Sequence, residues 1–150
     1  MLSDQSPGLY VHVPFCSGKC IYCDFYSLNA SSLMGIWLEG LIREAELYGP
    51  EWPPFETLYL GGGTPSRLPI EDLTSVVGWL RRYLDLSRVL EATVEVNPED
   101  VSREWIEAAL SLGLNRISLG IQSFSDHYLN WLGRRQTSAQ NLTAIEIIRA

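Results

Sequence analysis

Basic residues are scarce in this chain: 11 Lys and Arg stand against 18 Asp and Glu, a formal charge of −7. So acidic a balance argues against sequence-independent nucleic-acid binding, which needs Lys and Arg to displace counterions from phosphates. Long apolar runs are missing too, and no stretch approaches the roughly 20 residues of a membrane-spanning helix. The opening MLSDQSPG has neither the basic start nor the apolar stretch of a secretory leader. The expected compartment is therefore the cytoplasm. Histidine occurs only twice, at His12 and His127, and cysteine three times. An odd cysteine count in a cytoplasmic chain argues against a disulfide framework. What remains, 46% hydrophobic and 19% charged over 150 residues, is the composition of one globular domain.

Alternation and helical spacing organise the chain. Leu9–Pro14, Thr57–Leu60, Ala92–Val96 and Arg116–Ile121 read as strands. Met34, Trp37, Leu38, Leu41, Ala45 and Tyr48 recur at helical spacing, with Ser31 or Ser32 as cap and Gly49-Pro50 as stop. Ile70–Tyr83 predicts a second helix. Ser102 caps a third, which ends near Gly113, and Leu142, Ile145 and Ile148 mark a last one. The order is β-α repeated four times, which implies parallel βαβ units. Each strand has one apolar and one polar face. Leu9, Val11 and Val13 oppose Tyr10 and His12, and Ala92, Val94 and Val96 oppose Thr93, Glu95 and Asn97. A doubly wound sheet, covered on both faces, would read as continuous apolar runs, and an antiparallel sheet does not fit the intervening helices. The expected architecture is α/β, part of a (β/α) barrel whose polar strand faces converge on a site.

All three cysteines fall in one loop, Cys16-x3-Cys20-x2-Cys23, at the C-terminal end of the first strand, where βα-barrels carry their chemistry. Zinc in a structural site wants four protein ligands, and only His12 is near enough in sequence to be the fourth, although its place in a strand is expected to point its side chain away from the loop. An iron–sulfur cluster on three thiolates would keep one iron open. Phe15, Tyr22, Phe25 and Tyr26 are expected to screen it from water. Three unrelated buried thiols are the bland alternative.

The motif Cys16-x3-Cys20-x-Tyr22-Cys23 resembles the signature of the radical S-adenosylmethionine (SAM) enzymes. Tyr10-Val11-His12-Val13-Pro14-Phe15-Cys16, Gly61-Gly62-Gly63-Thr64-Pro65-Ser66, Glu95-x-Asn97-Pro98 and Arg116–Phe124 resemble the branch holding oxygen-independent coproporphyrinogen III oxidase and the HemW-type haem chaperones. The resemblance implies a [4Fe–4S] cluster on Cys16, Cys20 and Cys23. The open iron would chelate SAM, and the reduced cluster would cleave it to methionine and a 5′-deoxyadenosyl radical. It further implies SAM-site roles for Tyr10, Tyr22, Phe25, Gly62, Gly63, Thr64, Glu95, Gln122 and Arg134, with haem or porphyrin and an electron donor as partners. The oxidase branch has a further cysteine where this chain has Phe25, so the resemblance favours the chaperone and puts decarboxylase activity in doubt.

Read from the residues alone, the glycines form a tight turn with free N–H groups, and Glu95 needs a partner such as Arg116. Arg134 reads as a surface residue beside Arg135. His127 reads as a surface residue too, and the five tryptophans as core. Four βα units are less than the family's whole barrel. The expectation is therefore that residues 1–150 are the N-terminal part of a radical SAM core domain, without its C-terminal domain, leaving Ile117, Leu119 and Ile121 along an uncovered edge.

Overall fold

Three apolar strand faces and the helices that pack on them build the core of the computed structural model, which describes residues 7–150. The strands are β1 (Gly8–Val13), β2 (Thr57–Gly62), β3 (Glu91–Val96) and β4 (Arg116–Leu119). The helices are α1 (Met34–Tyr48), α2 (Ile70–Tyr83), α3 (Arg103–Ser111), α4 (Asp126–Trp131) and α5 (Ser138–Arg149). Most of the opening octapeptide, on which the leader reading rests, lies outside the described residues.

All neighbouring strands are parallel, and their spatial order is β1-β2-β3-β4. Each strand joins the edge that its predecessor left. With right-handed crossovers, that order sends every connection to the same side of the sheet. A doubly wound sheet must reverse its order at a switch point, and among the described residues there is no reversal. The result is an arc of barrel wall. Its outer face carries Val11, Val13, Leu58, Leu60, Ala92, Val94 and Val96, all buried beneath helices in one cluster with Leu73, Val76 and Leu80 of α2. Its inner face carries Tyr10, His12, Tyr59, Glu95 and Ser118.

Several sequence expectations shift at the ends of elements. At α1 Leu33 holds the cap position without a side-chain bond, after a 3-10 turn over Ser31–Leu33. The Ser31 side chain lies outside the described residues. Gly49 does not stop α1 by a left-handed turn; it stays helical and leads into a 3-10 turn over Gly49–Glu51. Its value is close approach, because a Cβ there would collide with the Tyr83 carbonyl. Ser102 caps α3 as expected, its Oγ accepting from Trp105 N at 3.1 Å. β4 ends at Leu119, two residues early, because Gly120 and the left-handed Gln122 (φ 61°) turn the chain away. Ile117 and Leu119 are half-buried against the core, and Ile121 lies past the strand.

The short helix α4 has no counterpart in the periodicity reading. It ends at Gly133 (φ 72°), where Gly133 N bonds Asn130 O and Arg134 N bonds Leu129 O. This paired 6→1 and 5→2 closure fixes the residue after the glycine rigidly. That residue is Arg134. In α5 the expected stripe of Leu142, Ile145 and Ile148 is not the deepest face. Leu142 is exposed, while Asn141 and Ala144 are buried. Asn141 Nδ2 donates to Ser123 O at 2.8 Å and Ile121 O at 3.2 Å, tying α5 to the segment after β4.

Candidate functional site

The cysteine loop leaves β1 at Pro14 and returns at Leu28. Leu28 N donates to Pro14 O at 2.6 Å and Cys16 N to Leu28 O at 3.0 Å, closing the loop at its base. The glycine turn after β2 lies against that base. Gly63 N donates to Val13 O at 2.8 Å. A Cβ on Gly63 would stand 2.8 Å from the Pro14 carbonyl carbon, 2.9 Å from Val13 O and 3.0 Å from Phe15 N. Those atoms are backbone and cannot step aside. Gly63→Ala is therefore expected to destabilise the chain by about 1–3 kcal/mol, the range for overpacking. Thermal denaturation would show it as a fall in Tm of several degrees, at roughly 2–4 °C per kcal/mol for a chain of this size. An unchanged Tm would mean that the turn does not press on the loop.

Loop and turn border a cleft of about 490 Å³, within the range of small-molecule sites. All three cysteines line it, each as a partly buried free thiol. Gly62, Gly63, Thr64, Glu95, Gln122 and Arg134 line the other sides, together with Asn97, Glu99, Ser118, Gly120 and Gly133. The cleft thus gathers eleven of the twelve residues singled out from the sequence: the three cysteines, Tyr22, Phe25 and these six.

The twelfth, Tyr10, is not among them. Its hydroxyl bonds His12 Nδ1 at 2.9 Å, and both residues line a neighbouring cavity of about 560 Å³ with Tyr26 and Trp37. The His12 ring is fully committed, since its Nε2 lies 2.9 Å from the Tyr26 carbonyl. A carbonyl only accepts, so Nε2 carries the proton and Nδ1 accepts from Tyr10. The expectation that the strand points His12 away from the loop is thus corrected. It ties β1 to the loop's returning limb, and it offers a metal no free nitrogen.

The aromatic screen is also corrected. Phe15 is buried edge-on against Trp37, 5.6 Å between ring centres, beneath the sheet. Tyr22, Phe25 and Tyr26 are exposed, at 47%, 63% and 67%. Nothing among the described residues covers that side of the loop.

The glycine turn keeps none of the expected free N–H groups at Gly62 and Gly63. Gly62, at φ 112°, donates to Glu95 Oε2 at 3.1 Å, and Gly63 donates to Val13 O. Glu95 has its partners in that N–H and in the Tyr59 hydroxyl, 2.7 Å from Oε1. Arg116 pairs instead with Glu91 at 2.8 Å on the exposed end of the sheet. Burial, then the bond to Glu95, pushes the Tyr59 phenol above its ordinary pKa. It therefore remains a proton donor to the carboxylate.

Arg134 is no surface residue. Its Nη2 bonds Asn97 Oδ1 at 2.7 Å and Gly120 O at 3.2 Å, its Nε bonds Gln136 Oε1 at 2.8 Å, and its Nη1 reaches Cys20 Sγ at 3.5 Å. Burial alone would lower its pKa, but the Cys20 bond and the neighbouring Tyr22, Cys20 and Glu99 outweigh it, and the net direction is up. Of its supports, Gln136 carries no motif-level signal of its own. The one available hint for Asn97 was its place in Glu95-x-Asn97-Pro98.

Across residues 10–150 the chain matches the model of the radical SAM superfamily. The chain belongs to that superfamily. A radical SAM protein is thereby expected to use SAM with an iron–sulfur cluster. The heme chaperone HemW of Lactococcus lactis is 38% identical over 147 residues, covering 97% of this chain and 38% of that protein. Anaerobilin synthase of Escherichia coli O157:H7 is 37% identical over 122 residues, covering 78% of this chain and 27% of that protein. Among solved structures, coproporphyrinogen III oxidase (HemN) from Escherichia coli superposes with a TM-score of 0.87 at 24% identity, covering 97% of this chain and 35% of that one. That likeness shows the fold, a partial radical SAM barrel. The chain spans little more than a third of the HemW relative it matches. Among the described residues no helix is long and apolar enough to cross a membrane.

Proposed function

We propose that Cys16, Cys20 and Cys23 hold a [4Fe–4S] cluster, that SAM binds beside it in the cleft, and that the protein these residues belong to is a haem chaperone of the cytoplasm. The carrying observation is the cleft itself: three free thiols face a glycine turn, Glu95 and Arg134 across a space of ligand size. The donor set fits a cluster better than zinc. Only three thiolates are available, and His12, the one candidate for a fourth ligand, has both nitrogens engaged. When bound, such a cluster supplies the electron that cleaves the sulfonium of SAM.

The remaining chemistry is positioning by this chain's residues. SAM carries an ammonium, a carboxylate and a sulfonium. Glu95, held by Tyr59 and Gly62, keeps lone pairs for a cationic group, and the engaged N–H groups of the turn no longer favour an anion there. Arg134 supplies the positive charge for a carboxylate, and Gln122 can donate and accept toward the adenosine end. Tyr22 and Phe25 offer the cleft apolar wall.

The HemW likeness and Phe25, at the place of the oxidase branch's further cysteine, support the chaperone over the decarboxylase. The HemN-like fold keeps coproporphyrinogen oxidation as the second reading. The reconstituted protein is expected to bind haem, followed by its absorption spectrum. It is expected to form no protoporphyrinogen from coproporphyrinogen III with SAM and dithionite. Product formation would move it to the oxidase branch, and a failure to bind haem would remove the chaperone reading.

A further inference from the structure

One amide sits between two of the three thiols. Asn97, directly after β3, lies 2.7 Å from Arg134 Nη2 through Oδ1 and 3.3 Å from Thr64 Oγ1 through Nδ2. Thr64 Oγ1 lies 3.4 Å from Cys16 Sγ, and Arg134 Nη1 lies 3.5 Å from Cys20 Sγ. With Cys16 a cluster-bound thiolate, the directions of these bonds are forced. A guanidinium only donates, so the end of the amide facing Arg134 is its oxygen. The NH2 end therefore faces Thr64, whose oxygen accepts. Once Thr64 accepts from Asn97, its own proton is left for Cys16, and a thiolate sulfur can only accept it.

We propose that Asn97 sets the polarity of a hydrogen-bond relay that turns the Thr64 hydroxyl proton onto Cys16 Sγ and aims Arg134 at Cys20 Sγ. The relay makes Asn97 a positioning residue for the electronics of the bound cluster, and so rests on the cluster reading. Its anchor is built in. Asn97 N donates to Ser66 Oγ at 3.1 Å, and Ser66 Oγ donates to Asp100 Oδ2 at 2.7 Å. Gly120 leaves room for it, since a Cβ there would stand 3.1 Å from Asn97 Oδ1. Thr64 and Ser66 are each only 5% exposed, so water cannot substitute for them. In such surroundings a hydrogen bond to a ligating sulfur stabilises the more negative, reduced cluster and raises its reduction potential. The Thr64 hydroxyl, used in both directions, is thereby assigned to sulfur.

The test is the midpoint potential of the cluster, assembled anaerobically from ferrous iron and sulfide and followed by electron paramagnetic resonance. Thr64→Val is expected to shift the one-electron reduction equilibrium against reduction by about three- to tenfold, or roughly 30–60 mV at 59 mV per tenfold. Thr64→Ser restores the hydroxyl and the potential. Asn97→Asp keeps an acceptor for Arg134 but offers Thr64 no donor, so Thr64 turns its proton to residue 97 and Cys16 loses it. Asn97→Asp also adds charge, so the decisive comparison is its shift in the two backgrounds. The shift is expected to be smaller in the Thr64→Val protein than in the parent chain. An unchanged potential in Thr64→Val, or equal shifts in both backgrounds, overturns the relay. Where Thr64→Val fails to assemble a cluster, Asn97→Asp in the parent chain decides: the D2O shift of its iron–sulfur resonance Raman bands is expected to be smaller than the parent's, because Cys16 has lost its donor while the Arg134 bond to Cys20 is still present, and equal shifts overturn the relay. A parent chain that assembles no cluster fails the functional reading itself, a result distinct from a cluster with unshifted potential.

Discussion

Replacing any one of Cys16, Cys20 and Cys23 by serine is expected to reduce bound iron from about four atoms per chain, the content of one [4Fe–4S] cluster, to near zero after anaerobic reconstitution. The effect is all-or-none because the sequence holds no spare thiol: these three are its whole cysteine complement. The His12 imidazole cannot take over either. His12 spends one ring nitrogen on Tyr10 and the other on the Tyr26 carbonyl. The three sites are equivalent in consequence though not in surroundings. Cys16 stands at the loop base beside Thr64, Cys20 beside Arg134, and Cys23 closes a turn with its N–H on Cys20 O at 3.1 Å. Iron and sulfide analysis with visible absorption reads the result. A serine variant that keeps its full iron, or a parent protein that holds stoichiometric zinc and no iron, would show that the loop is not a cluster site.

Arg134→Lys is expected to be the most damaging change in the cleft that leaves every formal charge in place. The arginine satisfies Asn97, Gly120 and Gln136 through a planar fork, with a further N–H on Cys20. A lysine ammonium is a point donor on a flexible stem and cannot reproduce that fork. Gly120 O keeps its bond from Gln136 Nε2 at 3.0 Å, but Asn97 Oδ1 and Gln136 Oε1 lose their donor. Leaving a buried acceptor such as that of Gln136 unmet costs about 1–3 kcal/mol. The same loss frees the charge from the position that a ligand carboxylate would use. SAM affinity is expected to fall about 10- to 100-fold, at 1.4 kcal/mol per tenfold, as read by calorimetry on the reconstituted protein. Unaltered affinity with a lowered Tm would confine Arg134 to a structural role.

Much of this site could be read along the chain. Cysteine spacing, the glycine triplet and the alternation of strand faces are short-range patterns, and each is a statement about a few consecutive residues. The spacing alone put three thiols on one loop after a strand. The alternation in Ala92–Val96 put Glu95 on the side away from the helices, and the β-α order implied parallel strands. Those expectations hold because a strand alternates with period two and a loop keeps its own residues together, wherever the rest of the chain goes.

The partners could not be read in that way. Arg134 reaches Asn97 across 37 positions, Thr64 reaches Cys16 across 48, and Glu95 meets Gly62 across 33. Which side chains meet at such separations depends on strand order, register and the exit angle of each loop. The pairing of Val96 with Leu119 carries Asn97 and Gly120 to adjoining positions at the sheet end, and the glycine closure of α4 then delivers Arg134 to both. Tyr10 went the other way. Its strand position faces inward as alternation requires, but β1 lies at the edge of the arc and its hydroxyl turns to His12 rather than to the cleft. Sequence by itself determined the kinds of groups present and the element that carries each. The tertiary structure alone decided which of them touch, because hydrogen-bond geometry is set within tenths of an ångström by packing between distant segments, and no local pattern encodes that.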